Sequence, residues 1–362
     1  MEINIPVYRP YLNGNEKKYV LDCLDSTWIS SKGKYVEEFE SKFSMYVGSK
    51  YATSVCNGTV ALHLALLTLG IGYGDEVIVP TLTYIASVNA IRYTGATPVF
   101  VDSESSFWQI DPVDVRRKIT TKTKAVMAVH LYGHSCDMDL LREICNENDL
   151  FLIEDCAEAI GSEYKGSKVG TFGDISTFSF FGNKTITTGE GGMVVTNNPT
   201  LNDRAVHFKG QGLAKYREYW HDIIGYNYRM TNVCAAIGLA QLEQVDLIIK
   251  KKQSVVEMYK KYLSSKVEFH KQDDNTFHSY WMFTILAPDP SLRDIIRGHL
   301  RDSGVETRPM FYPVHTMPMY SDNFQKYPVA ENLAWRGINL PSFPDLKESE
   351  IVFICDIVNS AV

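Results

Sequence analysis

Residues 176–192 read Ser176-Thr-Phe-Ser-Phe-Phe-Gly-Asn-Lys184-Thr-Ile-Thr-Thr-Gly-Glu-Gly-Gly192, so an apolar segment delivers a lysine into a turn rich in glycine and threonine. Earlier in the chain, the apolar run 150–155 ends in Asp155. A lone lysine on a turn is normally a surface residue, but pyridoxal phosphate requires both groups: an amine to bind its aldehyde and an anion to keep its ring nitrogen protonated. We therefore predict a pyridoxal phosphate site with Lys184 and Asp155 as catalytic residues.

The composition is typical of a cytoplasmic globular protein. The chain has 362 residues, 45% of them hydrophobic and 22% charged, with a formal net charge of −7 and no block rich in lysine and arginine, which argues against a nucleic-acid partner. Seven scattered cysteines without a C-x-x-C pair predict reduced thiols and no metal site. The start lacks a signal-peptide pattern, and no apolar stretch approaches the roughly 20 residues of a membrane helix.

Strand and helix patterns alternate over the first 240 residues, which predicts an α/β fold with a mostly parallel sheet. From residue 233 to 263 one long helical pattern leads into a smaller α+β part. We place the boundary near 245, giving a large cofactor-binding domain with an N-terminal arm (1–245) and a small C-terminal domain (246–362). The predicted strands are 76–79, 97–101, 125–130, 150–155, 175–180, 192–196 and 278–286, and the predicted helices are 58–69, 87–94, 111–119, 137–148, 201–208, 233–263 and 291–303.

Asn57-Gly58-Thr59 opens an apolar helix and is the candidate phosphate site, because the free N–H groups at a helix start favour an anion. Read alone, this start is simple N-capping by Asn57. Ser179 is a further candidate phosphate donor. The phosphate-loop motif fails around Lys184, since Asn183 stands where that motif needs glycine.

Two aromatic residues near strand ends are weaker candidates. Tyr84 follows a strand end and is placed to stack on a flat ring, although core packing is equally plausible. His130 ends a strand and is a candidate for approaching the substrate, whereas His134 remains undecided.

With these residues identified, the chain closely resembles the DegT–StrS family of sugar-nucleotide aminotransferases nearly end to end. That resemblance implies the fold of aspartate aminotransferase and a homodimer with shared active sites, in which Asn227 reaches the phosphate from the neighbouring subunit. It further suggests that Trp28, Ser30, Ser31 and His315 border the sugar or nucleotide. His130 and Arg229 are also predicted as substrate contacts. The segments that carry it are 26–33, 56–59, 80–84, 154–157, 178–184 and 225–232.

Glu158 departs from the family pattern, which commonly has glutamine at this position near the cofactor's phenolic oxygen. A carboxylate there would repel that oxygen's negative charge. We therefore hypothesise that Glu158 is held protonated and donates a hydrogen bond to the cofactor.

The resemblance implies a two-stage transamination from L-glutamate to a nucleotide-linked 4-keto-6-deoxy sugar, with GDP-4-keto-6-deoxymannose as the first expectation. Lys184 would move the proton between the substrate's α-carbon and the cofactor. A dTDP- or UDP-linked keto sugar is the nearest alternative, and a non-catalytic sugar-nucleotide sensor is an alternative of another class. A dehydrating branch of the family carries histidine in place of the lysine, so Lys184 favours the aminating side.

Overall fold

A computed structural model of the chain describes residues 4–321 and 325–362. Its strands form a seven-stranded sheet, a four-stranded sheet and a small three-stranded sheet. In chain order the strands are β1 (Tyr51–Val55), β2 (Glu76–Pro80), β3 (Thr97–Val101), β4 (Thr123–Val129), β5 (Phe151–Asp155), β6 (Glu163–Tyr164), β7 (Ser167–Lys168), β8 (Ile175–Ser179), β9 (Gly192–Thr196), β10 (Glu268–Phe269), β11 (Thr276–Phe277), β12 (Phe283–Leu286), β13 (Arg308–Pro309) and β14 (Gly337–Leu340).

Helices cover the sheets, and several of them begin at a capping residue. Examples are Asn57, Asp137 and Thr231, whose side chains accept backbone N–H bonds in the first turn. Short 3₁₀ turns lie at Leu131–Gly133 and Val314–Thr316. The α-helices are α1 (Glu16–Asp25), α2 (Lys34–Val47), α3 (Gly58–Leu69), α4 (Ile85–Tyr93), α5 (Pro112–Lys118), α6 (Met138–Glu147), α7 (Pro199–Lys209), α8 (Asn232–Leu242), α9 (Val245–Tyr262), α10 (Pro290–Asp302), α11 (Pro328–Arg336) and α12 (Glu348–Ser360).

The large sheet has the order β1-β9-β8-β5-β4-β2-β3 and is mostly parallel, as predicted. Only β9 runs against its neighbours β1 and β8. The central strands β4, β5 and β8 are almost wholly buried, which is the pattern expected when crossover helices cover both faces of a parallel sheet. Because their directions agree, the carboxyl ends of β1, β4, β5 and β8 meet at one edge of the sheet.

The C-terminal part is built on the antiparallel sheet β10-β12-β14-β13, packed against α9, α10 and α12. The helix predicted over residues 233–263 is in fact two helices, α8 and α9, bent by 60° where α8 ends and α9 begins. The domain boundary near 245 falls at the start of α9, and the division into 1–245 and 246–362 remains a prediction. Within the described residues no single helix has the length and apolarity to span a membrane; only the bent α8–α9 pair, taken together, reaches both.

Candidate active site

A cavity of about 570 Å³ lies at the carboxyl edge of the large sheet. Its walls come from strand ends, the starts of α3 and α4, the turn after β8 and a segment of the C-terminal part that contains Trp281. The structure brings seven of the predicted site residues together there: Gly58, Thr59, Tyr84, Asp155, Glu158, Ser179 and Lys184.

Lys184 lies in the turn between β8 and β9, which is closed by backbone bonds from Phe180 N to Gly191 O and from Lys184 N to Phe181 O. Its Nζ lies 3.9 Å from the centre of the Trp281 ring and 3.7 Å from Glu158 Oε1. Burial lowers the pKa of the Lys184 amine, while Glu158 and Asp155 oppose that shift. A lowered pKa makes more of the amine neutral, which is the form that attacks a carbonyl and accepts a proton.

Asp155 ends β5 with its carboxylate in the cavity, where Oδ2 accepts a 2.7 Å bond from Ser87 Oγ and Oδ1 accepts a 3.1 Å bond from Ala157 N. Burial raises the pKa of Asp155, and the Ser87 bond opposes that rise. Its neighbour Glu154 is outside the cavity and accepts bonds from Gly170, Phe172 and Gly173. The prediction that one of the two acids points in and the other away is confirmed, since strand side chains alternate.

Glu158 is buried between Lys184 and the 3₁₀ turn at 131–133. Its Oε2 accepts a 2.8 Å bond from Tyr132 N, a residue in the left-handed region at φ 55°. Burial raises the pKa of Glu158 to about 7, and the Lys184 charge opposes the rise. The carboxyl group is therefore far easier to protonate near neutral pH than an exposed glutamate.

The start of α3 forms a small anion cup. Asn57 Oδ1 accepts the Val60 N–H. The N–H groups of Gly58 and Thr59 have no intrahelical acceptor, because they belong to the first turn of the helix. Gly58 sits so close to Ser179 that an added Cβ would come within 2.7 Å of it, and this contact brings the Ser179 hydroxyl beside the helix start. Two kinds of donor, backbone amides and a hydroxyl, thus face the same end of the cavity.

The side walls of the cavity are aromatic. Tyr84 directly precedes α4 and is 55% exposed, with its ring 5.6 Å from that of Phe311. Trp281 donates from Nε1 to the carbonyl of Asn183 at 2.7 Å, which fixes its indole over the turn that holds Lys184. The cavity therefore offers aromatic faces against which a flat ring can stack.

Two histidines predicted to contact the substrate lie outside the cavity. His130 is fully buried: Nδ1 accepts from Cys136 N and Nε2 is 3.1 Å from Glu154 Oε2. The expectation for His130 is thus corrected, because it packs with Glu154 away from the cavity. His315 lies between Thr81 and Glu331 at 2.7 and 3.2 Å, so its role stays a prediction.

The segment with Trp28, Ser30 and Ser31 is also separate from this cavity. Trp28 is 57% exposed and, with Ser31, borders a second, open hollow. Asn232 at the start of α8 fixes the segment, donating from Nδ2 to the Trp28 carbonyl at 2.7 Å and from its N–H to the Ser30 carbonyl at 2.6 Å. Substrate contacts from this segment stay predictions.

Asn227 and Arg229 lie on the chain between α7 and α8, outside the set of residues that line the cavity. Asn227 is exposed, and its Oδ1 accepts a 3.2 Å bond from Arg229 Nη2. The same connection exposes several large apolar side chains: Leu213, Tyr216, Tyr219, Trp220, Ile223 and Ile224. Neither polar residue touches the cavity of its own chain.

Three residues at the site were missed by the sequence reasoning. Ser87 is four residues from Thr83, one turn apart at the start of α4, and the two hydroxyls lie 3.0 Å apart. Trp281 and Tyr8 come from distant parts of the chain, and Tyr8 donates from its hydroxyl to the Lys184 carbonyl at 2.6 Å. The spacing around Ser87 was a usable signal, whereas Trp281 and Tyr8 reach Lys184 only through tertiary folding.

The geometry agrees with the comparisons to known proteins. The chain matches the DegT/DnrJ/EryC1/StrS aminotransferase family over residues 10–359. The chain belongs to this family. It is 65% identical over 355 residues to the GDP-perosamine synthase of Escherichia coli O157:H7, and 53% identical over 361 residues to that of Vibrio cholerae, covering 98% of each chain in both pairs. Among solved structures, the PLP form of Streptococcus pneumoniae Spr1654 matches with a TM-score of 0.94 at 27% identity, covering 100% of this chain and 98% of that one.

Family membership confirms the predictions of an aminotransferase fold, of an enzyme and of pyridoxal phosphate as cofactor. The residues of this aminotransferase also fit that group on their own terms. A mostly buried amine with a side-chain exposure of 11%, a buried carboxylate and a cup of N–H and hydroxyl donors line one cavity with aromatic walls. These are the partners that an aldehyde, a pyridine nitrogen, a phosphate and a flat ring require.

Proposed function

We propose that this aminotransferase transfers the amino group of L-glutamate to GDP-4-keto-6-deoxymannose and so forms GDP-perosamine. The observation that carries the proposal is the convergence of Lys184, Asp155 and the start of α3 on one cavity. The sugar is inferred from the two relatives named GDP-perosamine synthase, which match the chain over nearly its whole length. Such a product suits the building of a surface polysaccharide such as an O-antigen.

In that reaction the residues of the chain bind and orient the cofactor, and they transfer protons. Pyridoxal phosphate, when bound, supplies an aldehyde that condenses with amines and a ring that accepts electrons from the substrate's α-carbon. Lys184 would hold the aldehyde and then, as a free amine, carry the proton to and from the α-carbon. Asp155 would hold the proton on the ring nitrogen by a charge-assisted bond. Gly58, Thr59 and Ser179 would hold the phosphate, and Tyr84 would flank the ring.

The charges of the residues that line the cavity support a contribution from a second subunit. Among the described residues that line the cavity, Lys184 is the one cation, against the carboxylates of Asp155, Glu158 and Glu190. The cofactor phosphate, glutamate and a sugar nucleotide are all anions, so further positive charge has to come from elsewhere.

We infer a homodimer in which the exposed connection between α7 and α8 reaches the neighbouring cavity. Its apolar side chains, such as Tyr219 at 94% and Ile224 at 88% exposure, are of the kind that a partner covers. Asn227 and Arg229 of the partner subunit then face the phosphate and the substrate anions. The same arrangement leaves Trp28, Ser30, Ser31 and His315 available to border the sugar nucleotide.

The substrate is tested by offering the purified enzyme L-glutamate with a panel of GDP-, dTDP- and UDP-linked 4-keto sugars and reading the products by mass. We expect amination of the GDP-linked 4-keto-6-deoxymannose at least tenfold faster than of the others. A preference for a dTDP- or UDP-linked sugar would replace the substrate but keep the reaction.

Lys184 is tested by reduction with borohydride. We expect a yellow protein that bleaches and retains the cofactor mass on the peptide containing Lys184, whereas Lys184→Ala loses turnover. A colourless protein that gains no colour with added pyridoxal phosphate, yet binds the sugar nucleotide, would favour the non-catalytic sensor.

A further inference from the structure

A second lysine lies close to the Lys184 turn and takes no part in the proposed reaction. Lys252 is in α9, at the junction of the large and C-terminal parts, and only 1% of it is exposed. Its Nζ donates to two backbone carbonyls, that of Ser342 at 2.6 Å and that of Trp281 at 3.2 Å. A buried amine satisfied by carbonyls alone is costly compared with an apolar side chain, so its retention calls for a reason.

Lys252 contacts two residues that also contact Lys184. The Trp281 indole covers the Lys184 amine at 3.9 Å and bonds to the Asn183 carbonyl, while Trp281's own carbonyl accepts from Lys252. Tyr8 donates to the Lys184 carbonyl, and its ring centre lies 5.3 Å from the Lys252 Nζ. The Lys252 amine therefore contacts both Trp281, through its carbonyl, and Tyr8 of the N-terminal arm, through its ring.

The segment that carries Trp281 needs such support. Tyr280 has φ 50°, a strained conformation for a residue with a side chain, and it persists only where neighbouring contacts fix the backbone. α9 fixes the carbonyls on both sides of Tyr280: Gln253 Nε2 donates to His278 O at 2.6 Å, and Lys252 donates to Trp281 O.

We propose that Lys252 is a positioning residue for transamination: it fixes Trp281 and Tyr8 against the Lys184 turn and so keeps the Lys184 amine dry and correctly placed. The proposal rests on the function proposed for Lys184. The carboxylates facing the Lys184 amine, Glu158 and Asp155, are held by other bonds and stay in place when Lys252 changes. Burial lowers the pKa of Lys252 to about 7, and even the neutral amine keeps two N–H donors for its two carbonyls.

The test replaces Lys252 with methionine, which fills the space but donates no hydrogen bond. In the holoenzyme we expect kcat to fall about tenfold with each KM changed less than about threefold, because misplacement of the amine affects the chemical step rather than binding. The acid limb of the kcat profile should move to higher pH, since water reaching Lys184 raises its depressed pKa. Hydrogen exchange should accelerate in the peptides that contain Lys184 and Trp281.

Lys251→Met is the matched control, since Lys251 is the neighbouring lysine on the same helix and pairs at the surface with Asp345. It should leave kcat, its pH profile and the exchange of the Lys184 peptide unchanged. Lys252→Arg restores N–H donors and should recover part of kcat.

The proposal is overturned if Lys252→Met changes only the melting temperature while the pH profile and the exchange at Lys184 stay as in the unchanged enzyme. Should that variant not fold, Gln253→Leu removes the other support of the same segment and decides in its place. An unchanged acid limb in a folded Gln253→Leu enzyme would then contradict the proposal. Loss of borohydride-fixed cofactor at Lys184 in the unchanged enzyme would instead refute the proposed function.

Discussion

At the scale of single residues, Glu158 should give the cofactor-free protein a distinct pH dependence. Its pKa is raised from 4.5 to about 7 in the folded chain, so its ionisation costs stability progressively as pH rises from about 4.5 to 7. Glu158→Gln should therefore gain stability relative to the unchanged protein by roughly 1–3 kcal/mol between pH 5 and pH 8. Urea unfolding at both pH values measures this, and a difference that does not vary with pH would show that Glu158 stays ionised throughout.

Glu158→Gln also tests the protonated state proposed from the sequence. If a neutral Glu158 donates a hydrogen bond to the cofactor, glutamine supplies the same donor and turnover at pH 6 should stay within about threefold. The advantage should shift to the glutamine variant above pH 7, where Glu158 loses its proton. Complete loss of activity in this variant would rule out simple hydrogen-bond donation.

Ser87 is expected to control Asp155. Ser87→Ala removes the 2.7 Å bond to Oδ2, a bond that opposes the burial-driven rise in the pKa of Asp155. We expect kcat/KM to fall about tenfold, since a hydrogen bond to a charged group contributes roughly 1.5–3 kcal/mol. Ser87→Thr, which keeps the hydroxyl, is the control, and equal kinetics for the alanine and threonine variants would contradict the role.

At the scale of elements, substitution by alanine should change stability in opposite directions at Gly192 and Gly298. An added Cβ at Gly192, the first residue of β9, would lie 2.6 Å from the backbone oxygen of Asn57, so Gly192→Ala must push β9 away from the anion cup. Gly298 lies inside α10 with nothing within 4 Å of an added Cβ. Thermal unfolding should show about 1–3 kcal/mol lost at Gly192 and about 0.5–1 kcal/mol gained at Gly298. Similar values for both would mean that the close approach at Asn57 relaxes freely.

The elements also show what the sequence predicts and where it stops. Local patterns placed α3 and the strands 97–101 and 192–196 at their observed bounds, because an N-cap residue and short apolar runs can be recognised in adjacent residues. The 31-residue helix pattern failed at residues 243–244, since apolar spacing continues across a bend that is set by packing. The elements that were not predicted are the helices α1, α2, α11 and α12 and the strands β1, β6, β7, β10, β11, β13 and β14. The strand predicted over 278–286 is shorter in the structure, where β12 covers only Phe283–Leu286.

For the site, the chemical requirements of the cofactor were a better guide to the residues than their position along the strands. Lys184 and Asp155, which line one cavity, could be predicted because pyridoxal phosphate requires both an amine and an anion. Gly58 and Thr59, which line the same cavity, were predicted from the start of the helix. His130 was misplaced because a strand end alone does not tell which face a side chain occupies. Trp281 gave no local signal, as its place over Lys184 depends on the C-terminal part folding back.

At the scale of the whole molecule, the proposed dimer with shared sites predicts that two inactive variants restore each other's activity. Lys184→Ala would disable the cavity of its own subunit, and Asn227→Ala would disable the cavity of the neighbouring subunit. When the two are mixed and allowed to exchange, half of the dimers are hybrids with one intact site, so about a quarter of the normal activity should return. Activity that stays at the level of the separate variants would show that Asn227 serves its own subunit or none.

Because the Trp281 indole lies over the Lys184 amine, the protein's intrinsic fluorescence should report cofactor binding. A yellow chromophore bound at Lys184 would absorb where tryptophan emits. Because Trp281 lies 3.9 Å from Nζ, it should transfer its excitation to that chromophore efficiently. Loading of the site can thus be followed by dimming of ultraviolet-excited fluorescence, without any attached dye. The part of the signal that vanishes in Trp281→Phe belongs to this one ring, because the chain's four other tryptophans remain.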